Sequence, residues 1–159
     1  MGIGTEDFGR RMALIKPRLY RTARLYLGSD AMAADAVAEA EFRAFVALKK
    51  LRQPQFFDTW VTRILINECK KALRRAKRHV PYEAAHEPSA ADFDALPLKD
   101  AIGRLPQGLR AVIAMRYFSG YTIVETAQIL DIPQGTAASR CRRALQLLRL
   151  ELSDDNEGG

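Results

Sequence analysis

The fold is decided most clearly at residues 122–149, which read TIVETAQILDIPQGTAASRCRRALQLLR. Glu125 follows Thr122 by three residues, the spacing at which two such side chains cap the start of a helix reciprocally. A tight turn over residues 131–133 comes next, and apolar residues then recur every three or four positions to Leu152. A capped helix, a short turn and a second helix predict a helix-turn-helix.

The second helix of this motif carries its polar side chains away from its apolar stripe. At about 100° per residue, Arg142 and Arg143 flank a sector that also holds Ser139 and Gln146. Arginine can bind guanine through two hydrogen bonds or bind phosphate, while serine and glutamine can hydrogen-bond to base edges or position the helix on the DNA backbone. A merely solvated basic face is the alternative, and the preceding capped helix and turn argue against it. The predicted DNA-binding residues are Ser139, Arg140, Arg142, Arg143 and Gln146.

Helical periodicity also dominates the upstream half of the chain, and no convincing strand pattern appears. The spacing predicts a helix over residues 8–27 that Pro17 kinks or divides, and a second helix over residues 31–51. A third helix is expected to begin at a cap formed by Asp58 or Thr59 and to run to about residue 78.

The stretch from Val80 to Pro97 divides the chain. It contains three prolines, several alanines and four acidic residues without periodicity, which is typical of a flexible linker. Two short helices follow, and Ser119-Gly120 ends the second. We therefore predict an all-α protein of two small helical domains, at residues 1–79 and 98–152, with a flexible linker over 80–97 and an acidic tail over 153–159.

Composition places the chain among ordinary globular proteins. Of its 159 residues, 48% are hydrophobic and 28% are charged, which excludes a disordered or fibrous chain. The net charge is +9 over residues 1–80 and +5 over residues 98–150, whereas residues 81–97 and 151–159 each carry −4. Two basic blocks around an acidic connector indicate two modules that face a polyanion such as nucleic acid.

Several function classes find no support in the sequence. No apolar run reaches about 18 residues, and no apolar segment follows a basic N-terminus, so we expect a cytoplasmic protein. Cys69 and Cys141 have no cysteine or histidine at ligand spacing, which argues against a disulfide framework and a metal site. His79 and His86 have no catalytic partners. We therefore expect no enzyme activity and no cofactor.

Aromatic and basic residues meet at residues 51–60, which read LRQPQFFDTW, and in the helix that follows. Unstacked bases need an aromatic surface for stacking and cations for their backbone. Trp60 and one of the two phenylalanines are expected to pack into the core, so only part of this aromatic set is available to DNA. Gln53 and Gln55 are free to contact base edges.

The order and spacing of these motifs over residues 8–152 resemble the bacterial sigma-70 family, specifically its small extracytoplasmic-function (ECF) group, which keeps only regions 2 and 4. The motifs that carry the resemblance are LYRTAR (19–24), DAVAE (35–39) and FDTWVTRILIN (57–67) in the first module, and LP (105–106), RYF (116–118), GYT (120–122), AQIL (127–130), IPQGT (132–136) and SR (139–140) in the second.

The resemblance implies a role for each module. Region 2, similar to residues 8–78, docks on the clamp helices of the RNA polymerase largest subunit and melts the minus-10 element. Region 4, similar to residues 98–152, docks on the polymerase flap and reads the minus-35 element. By position, Asp35 and Glu39 would face the polymerase. The minus-10 contacts would come from Arg52, Gln53, Gln55, Phe56, Phe57, Asn67, Lys70, Lys71 and Arg74.

The chain departs from the family pattern at three positions. Ala38 replaces the usual glutamine, Glu41 replaces an apolar residue, and Ala138 replaces a lysine or arginine. Glu41 falls near the core-facing stripe and must rotate outward, pair or be partly protonated. The change at Ala138 implies an altered minus-35 preference.

The resemblance implies a sigma factor that brings core RNA polymerase to a restricted promoter set, in an envelope or other stress response. It also implies a cognate anti-sigma factor that covers both modules. Two other classes remain open. One is a helix-turn-helix regulator of duplex DNA, in which residues 1–80 dimerise or sense an effector. The other is a sigma-like interaction module that binds a regulator instead of DNA.

Overall fold

The computed structural model describes the backbone of residues 2–79 and 96–157, and the side chains of residues 2–77 and 97–153. All secondary structure in these ranges is helical, as the apolar spacing predicts. Most of the predicted linker, residues 80–95, lies outside the described residues. Its predicted end is wrong by two residues, because Leu96 and Pro97 already form the first turn of a helix. Proline is tolerated there, since the first turn has no intrahelical partner for its missing N–H.

Three helices form the first module: α1 (Thr5–Leu27), α2 (Asp30–Val46) and α3 (Phe57–His79). Gly28 ends α1 in the left-handed region, with φ of 74°, where a β-carbon would be strained. Ser29 then caps α2, because its Oγ accepts a hydrogen bond from the Met32 amide at 3.2 Å. Two short 3-10 turns, Leu48–Lys50 and Pro54–Phe56, connect α2 to α3.

Of the two outcomes expected at Pro17, division of the helix is wrong, and two other expected boundaries in this module are wrong as well. Pro17 lies inside α1 without dividing it, and Ile15 and Leu19 on either side are both buried, so core packing holds the two halves together. The second helix ends at Val46 and not near residue 51, because the chain tightens into a 3-10 turn before Leu51 becomes buried. The third begins at Phe57, which puts Asp58 in its first turn and not at a cap.

The second module contains α4 (Leu96–Arg104), α5 (Gln107–Ile113), α6 (Ile123–Leu130) and α7 (Gln134–Glu157). The predicted capping box is confirmed: the Glu125 amide donates to Thr122 Oγ1 at 3.1 Å, and the Thr122 amide donates to Glu125 Oε1 at 3.0 Å. Asp131 adopts φ of 57° and turns the chain between α6 and α7. The first five residues of the expected acidic tail, 153–157, continue α7.

The end of α5 opens into a wider π-helical turn over Ala114–Phe118. Ser119 closes this turn through its amide, which donates to the Ala114 carbonyl at 2.9 Å. Gly120 then takes φ of 76°, and the chain reverses toward α6. Ser119 and the following Tyr121 are buried as a result, and both meet the first module. Such turns often occur at functional sites.

The two modules pack against each other. One continuous hydrophobic cluster includes Tyr26 and Leu65 of the first module together with Met115 and Ile129 of the second. A smaller cluster is built around Ile102 with side chains of α5 and α7, and Leu25 of the first module packs against it. The predicted DNA-binding faces of both modules are therefore carried by one shared core.

Candidate nucleic-acid and polymerase interface

The polar face of α7 has the composition that the sequence predicts. Ser139, Arg142, Arg143 and Gln146 are all exposed, and the opposite side of the helix is buried in the core through Cys141 and neighbouring apolar residues. Arg142 Nη2 donates to Ser139 Oγ at 3.5 Å, which links two members of the face. The amphipathic arrangement places four groups that can bind phosphate or base edges on one exposed surface. Contact with DNA stays a prediction.

Arg140 is placed differently from the other four. Its side chain is half-buried and lies over Gly108 of α5, so that a β-carbon at Gly108 would be 3.4 Å from Arg140 Nη1. Arg140 therefore packs on the neighbouring helix at the edge of the polar face.

The loop that precedes α3 divides into exposed and buried residues. Arg52, Gln53, Gln55 and Phe56 are exposed and remain available for single-stranded bases. Phe57 is only 1% exposed, so its predicted DNA contact is wrong for this arrangement. Its ring packs edge-on against Phe8, with 5.8 Å between centroids. The expectation that one phenylalanine joins the core is thus confirmed. Trp60, expected in the core, is half-buried beside Phe57.

The outer face of α3 carries the other predicted minus-10 residues. Asn67 and Arg74 are exposed, whereas Lys70 and Lys71 are half-buried. Lys70 and Arg74 line a small cavity of about 140 Å³ together with Leu73, Lys77 and Gln107. Because Gln107 belongs to α5, the second module borders the basic face of α3. In this arrangement, the second module limits access to part of that face.

The two predicted polymerase-facing residues lie on α2. Asp35 is exposed, and Glu39 is partly exposed and pairs with Arg43 at 3.1 Å. The sequence reasoning missed the apolar residues beside them: Phe42, Phe45 and Val46 are 63%, 47% and 67% exposed. Phe42 and Val46 line a groove of about 370 Å³ between α2 and α3. The sequence does hold a signal for them, because these apolar residues lie outside the buried stripe of α2, which consists of Ala36, Val37, Ala40 and Ala44.

Two carboxylates between the helices have specific partners. Glu41 pairs with Lys16 of α1 at 3.0 Å, which is the pairing outcome foreseen for this departure from the family pattern. Glu68 of α3 was missed by the sequence reasoning. Its side chain is 4% exposed, and its Oε1 lies 2.8 Å from Arg43 Nε and 3.1 Å from Lys71 Nζ.

The seam between the modules contains a polar cluster in which Thr62 and Tyr121 are buried and Arg18 and Asp58 are partly exposed. The Tyr121 hydroxyl lies 2.7 Å from Thr62 Oγ1 and accepts a hydrogen bond from Arg18 Nη2 at 3.2 Å. The Arg18 guanidinium also stacks on the Tyr121 ring, 5.0 Å from its centroid, and pairs with Asp58 at 3.1 Å. Desolvation raises the pKa of Tyr121. The sequence reasoning gave none of these residues a role at an interface between modules.

Further polar contacts extend along the same seam. The hydroxyls of Thr22 and Ser119, both buried, form a hydrogen bond. Gln107 Nε2 donates to the Tyr26 hydroxyl at 2.7 Å, and burial raises the pKa of Tyr26. These contacts satisfy polar groups that the packing of the modules removes from water.

The described residues contain no cluster of metal-ligating side chains, and none of the described helices is long and apolar enough to cross a membrane. Both cysteines are buried and unpaired. Burial raises the pKa of Cys69 to about 12, so this thiol stays protonated and unreactive at neutral pH.

Each of the two modules matches the model of a known protein family. Residues 13–79 match the model of sigma-70 region 2, and residues 95–148 match the model of sigma-70 region 4. The ECF RNA polymerase sigma factor SigM of Mycobacterium tuberculosis is 34% identical over 146 residues, which cover 89% of this chain and 74% of SigM. SigW of Bacillus subtilis is 27% identical, and the match covers 95% of this chain and 92% of SigW. The sigma-E factor of Escherichia coli is 31% identical, and the match covers 72% of this chain and 70% of the sigma-E factor.

Solved structures share the fold. The sigma factor RpoE of Bartonella quintana, solved with the anti-sigma factor NepR, superposes with a TM-score of 0.80 at 24% identity, covering 94% of this chain and 98% of RpoE. CnrH, solved with the cytosolic domain of CnrY, gives a TM-score of 0.77 at 23% identity, covering 96% and 91%. Together with the matches to regions 2 and 4 and the identity to SigM, the two-module helical fold shows that this chain belongs to the ECF sigma factors of the sigma-70 family.

Proposed function

We propose that this sigma factor binds core RNA polymerase through α2 and directs it to promoters through α3 and α7. The polymerase supplies the chemistry, and the sigma factor supplies docking, recognition and strand opening. The observation that carries the assignment of α7 is its exposed face of Ser139, Arg142, Arg143 and Gln146 in a capped helix-turn-helix.

The minus-10 function is assigned to the exposed part of the loop and to the basic face of α3. Extruding a base from the duplex costs a few kcal/mol of stacking free energy. Phe56, which is 53% exposed, offers a ring for stacking, while Arg52 and the cations of α3 can hold the backbone. Buried Phe57 supports the loop from beneath.

The two modules must separate to occupy both promoter elements. Positions −10 and −35 are about 25 base pairs apart, which is about 85 Å along duplex DNA. A globular chain of this length has a radius of gyration of about 15 Å and cannot span that distance while closed. We therefore assign the packed arrangement to the free or restrained protein and an open arrangement to the promoter complex.

A cognate anti-sigma factor is the partner we propose for the restrained state. Two relatives of the same fold, RpoE and CnrH, were solved in complex with NepR and with the cytosolic domain of CnrY. Affinity capture of the full chain from uninduced host cells should bring down such a partner. Capture of polymerase subunits alone would contradict this part of the proposal.

Promoter-specific transcription tests the proposed function. Core polymerase from the host is mixed with the purified chain and a pool of host promoter fragments, and new transcripts are mapped. We expect initiation from a small set of fragments that share a minus-35 and a minus-10 sequence. A duplex-binding regulator would bind fragments without initiating, and a sigma-like interaction module would bind no DNA. Either result would contradict the proposal.

A further inference from the structure

A chain of charges runs from α2 to α3. Arg43 Nε lies 3.1 Å from Glu39 Oε1 on its own helix and 2.8 Å from Glu68 Oε1 on α3. The same Glu68 oxygen lies 3.1 Å from Lys71 Nζ. Glu39 and Glu68 therefore share one arginine, and Arg43 and Lys71 share one carboxylate.

Glu68 differs from its neighbours in burial. Its side chain is 4% exposed, whereas those of Glu39, Arg43 and Lys71 are 46%, 50% and 43% exposed. A buried carboxylate is costly without a cationic partner, and Glu68 therefore needs at least one of the two cations. The half-exposed partners can change contacts at modest cost, because solvent screens them.

Arg43, Glu68 and Lys71 all line the groove between α2 and α3. The two cations differ in the helix that carries them. Arg43 lies beside Glu39 on α2, which has the proposed polymerase contacts, and Lys71 lies on α3, among the proposed minus-10 residues. A partner that pairs with Glu39 would leave Arg43 to Glu68 alone. Arg43 would then satisfy the buried carboxylate, and Lys71 would be free to pair with a phosphate.

We propose that Glu68 is a positioning residue that couples polymerase docking on α2 to DNA binding on α3. The inference rests on the proposed function and adds a route by which one event favours the other. Without polymerase, Glu68 holds Lys71 and competes with DNA phosphate for it. Polymerase binding draws Glu39 away from Arg43, so that Arg43 pairs with Glu68 alone and the hold of Glu68 on Lys71 weakens. Because coupling between two binding equilibria is reciprocal, DNA also strengthens polymerase binding by the same factor.

The affinity of the full chain for core polymerase, measured with and without a fork-junction DNA that carries the mapped minus-10 sequence, gives this coupling factor directly. We expect Glu68→Gln, which keeps the shape and removes the charge, to lower the factor about threefold to tenfold, within the usual range for such coupling. Affinity for core polymerase without DNA should change less than about twofold, because Glu39 is unchanged, its exposed pair with Arg43 is weak, and Glu68 is only 4% exposed where it borders the groove.

Glu151→Gln is the matched control, because Glu151 pairs with Arg104 in the second module. Its coupling factor should equal that of the wild type. Arg43→Gln removes the other member of the Arg43–Glu68 pair, at a residue that is half-exposed. If both residues act through this pair, adding Glu68→Gln to Arg43→Gln should not lower the coupling factor further. Arg43→Lys should restore part of the factor.

The outcomes separate the inference from the proposed function. A wild-type chain that does not bind core polymerase contradicts the proposed function. A wild type that binds, with a coupling factor unchanged by Glu68→Gln, overturns the inference alone. If Glu68→Gln is unfolded in a thermal melt, Arg43→Gln decides: an unchanged factor overturns the inference, and a reduced factor that Arg43→Lys restores supports it.

Discussion

Tyr121 illustrates how one side chain can hold two modules. Its ring is buried, and its hydroxyl meets Thr62 and Arg18 of the first module while its backbone belongs to the second. The bond to Thr62 joins residues that are 59 positions apart in the sequence, and the bond to Arg18 joins residues that are 103 positions apart. Tyr121 therefore belongs to the seam as much as to the helix-turn-helix that it precedes.

Replacing Tyr121 by phenylalanine should weaken this seam. The ring can stay, while removal of the hydroxyl eliminates hydrogen bonds of which each contributes about 0.5–1.5 kcal/mol to the free energy of unfolding. We expect the free energy of unfolding of the full chain, measured by chemical denaturation, to decrease by about 1–2 kcal/mol. The control is Tyr117→Phe, because Tyr117 is 53% exposed and its hydroxyl lies 3.9 Å from Cys141 Sγ. Equal decreases for the two variants would argue against a clamp at Tyr121.

Cys69 gives a prediction for alkaline pH. Burial raises the pKa of its thiol to about 12 from an ordinary value of 9.0, so the unfolded chain loses this proton first as pH rises. Stability is then fully present below about pH 9 and declines above it, by at most about 1.4 kcal/mol per pH unit. The free energy of unfolding of wild type should therefore fall relative to that of Cys69→Ala between about pH 9 and 11. Parallel pH profiles for the two proteins would contradict this assignment.

At the scale of elements, local signals predicted the helix-turn-helix well. The cap at Thr122, the turn at Asp131 and the buried stripe of α7 all depend on residues a few positions apart, and each is where the sequence placed it. The ends of α2 and α3 could not be predicted in the same way. They depend on how Leu51 and Phe57 enter a core that distant helices complete.

The basic face of α3 should set the salt dependence of promoter opening. Changing Lys70, Lys71 and Arg74 together to alanine should weaken open-complex formation and flatten its salt slope, by about 0.9 for each duplex phosphate that is no longer neutralised. Core polymerase binding should survive. Lys16→Ala is the control, because Lys16 pairs with Glu41 away from this face. A wild-type slope in the triple variant would mean that these cations are only solvated.

Substitutions on the polar face of α7 should affect DNA binding, whereas a substitution at Asp35 of α2 should affect polymerase binding. Arg142→Ala with Arg143→Ala should cost about 1–3 kcal/mol of binding to a minus-35 duplex for each base that the helix no longer reads, and should relax its sequence preference. Asp35→Ala should instead lower affinity for core polymerase and leave the preference unchanged. Both variants are measured in both assays. Intact minus-35 discrimination in the arginine variant would contradict the assignment of α7.

At the scale of the whole molecule, the packing of the two modules is what sequence reasoning missed. It treated the modules as independent because residues 80–97 lack periodicity, and no local pattern relates Thr22 to Ser119, which lie 97 positions apart. The composition of each half is compatible with a separate domain. Only the tertiary contacts reveal that their apolar surfaces join in one cluster.

Opening of the molecule on the promoter should be visible as a change in distance. Ala13 of α1 and Gln128 of α6 are exposed, whereas both native cysteines are buried, so cysteines introduced at these two positions can be labelled selectively. Energy transfer between the dyes should be high in the free chain and fall when core polymerase and promoter DNA bind, since the elements are about 85 Å apart. High transfer in the active promoter complex would contradict the opening.

The seam also bears on how such a protein can change over evolution. Thr22 and Ser119, or Tyr121 and Thr62, must fit each other although they are encoded far apart. A recombination event in the stretch between the modules would join a first module to a second module that did not diverge with it. Such a hybrid could keep both DNA-binding faces and yet lose the closed state, and with it the capacity to remain silent. The two halves of this chain are thus expected to be inherited together, as one unit of selection.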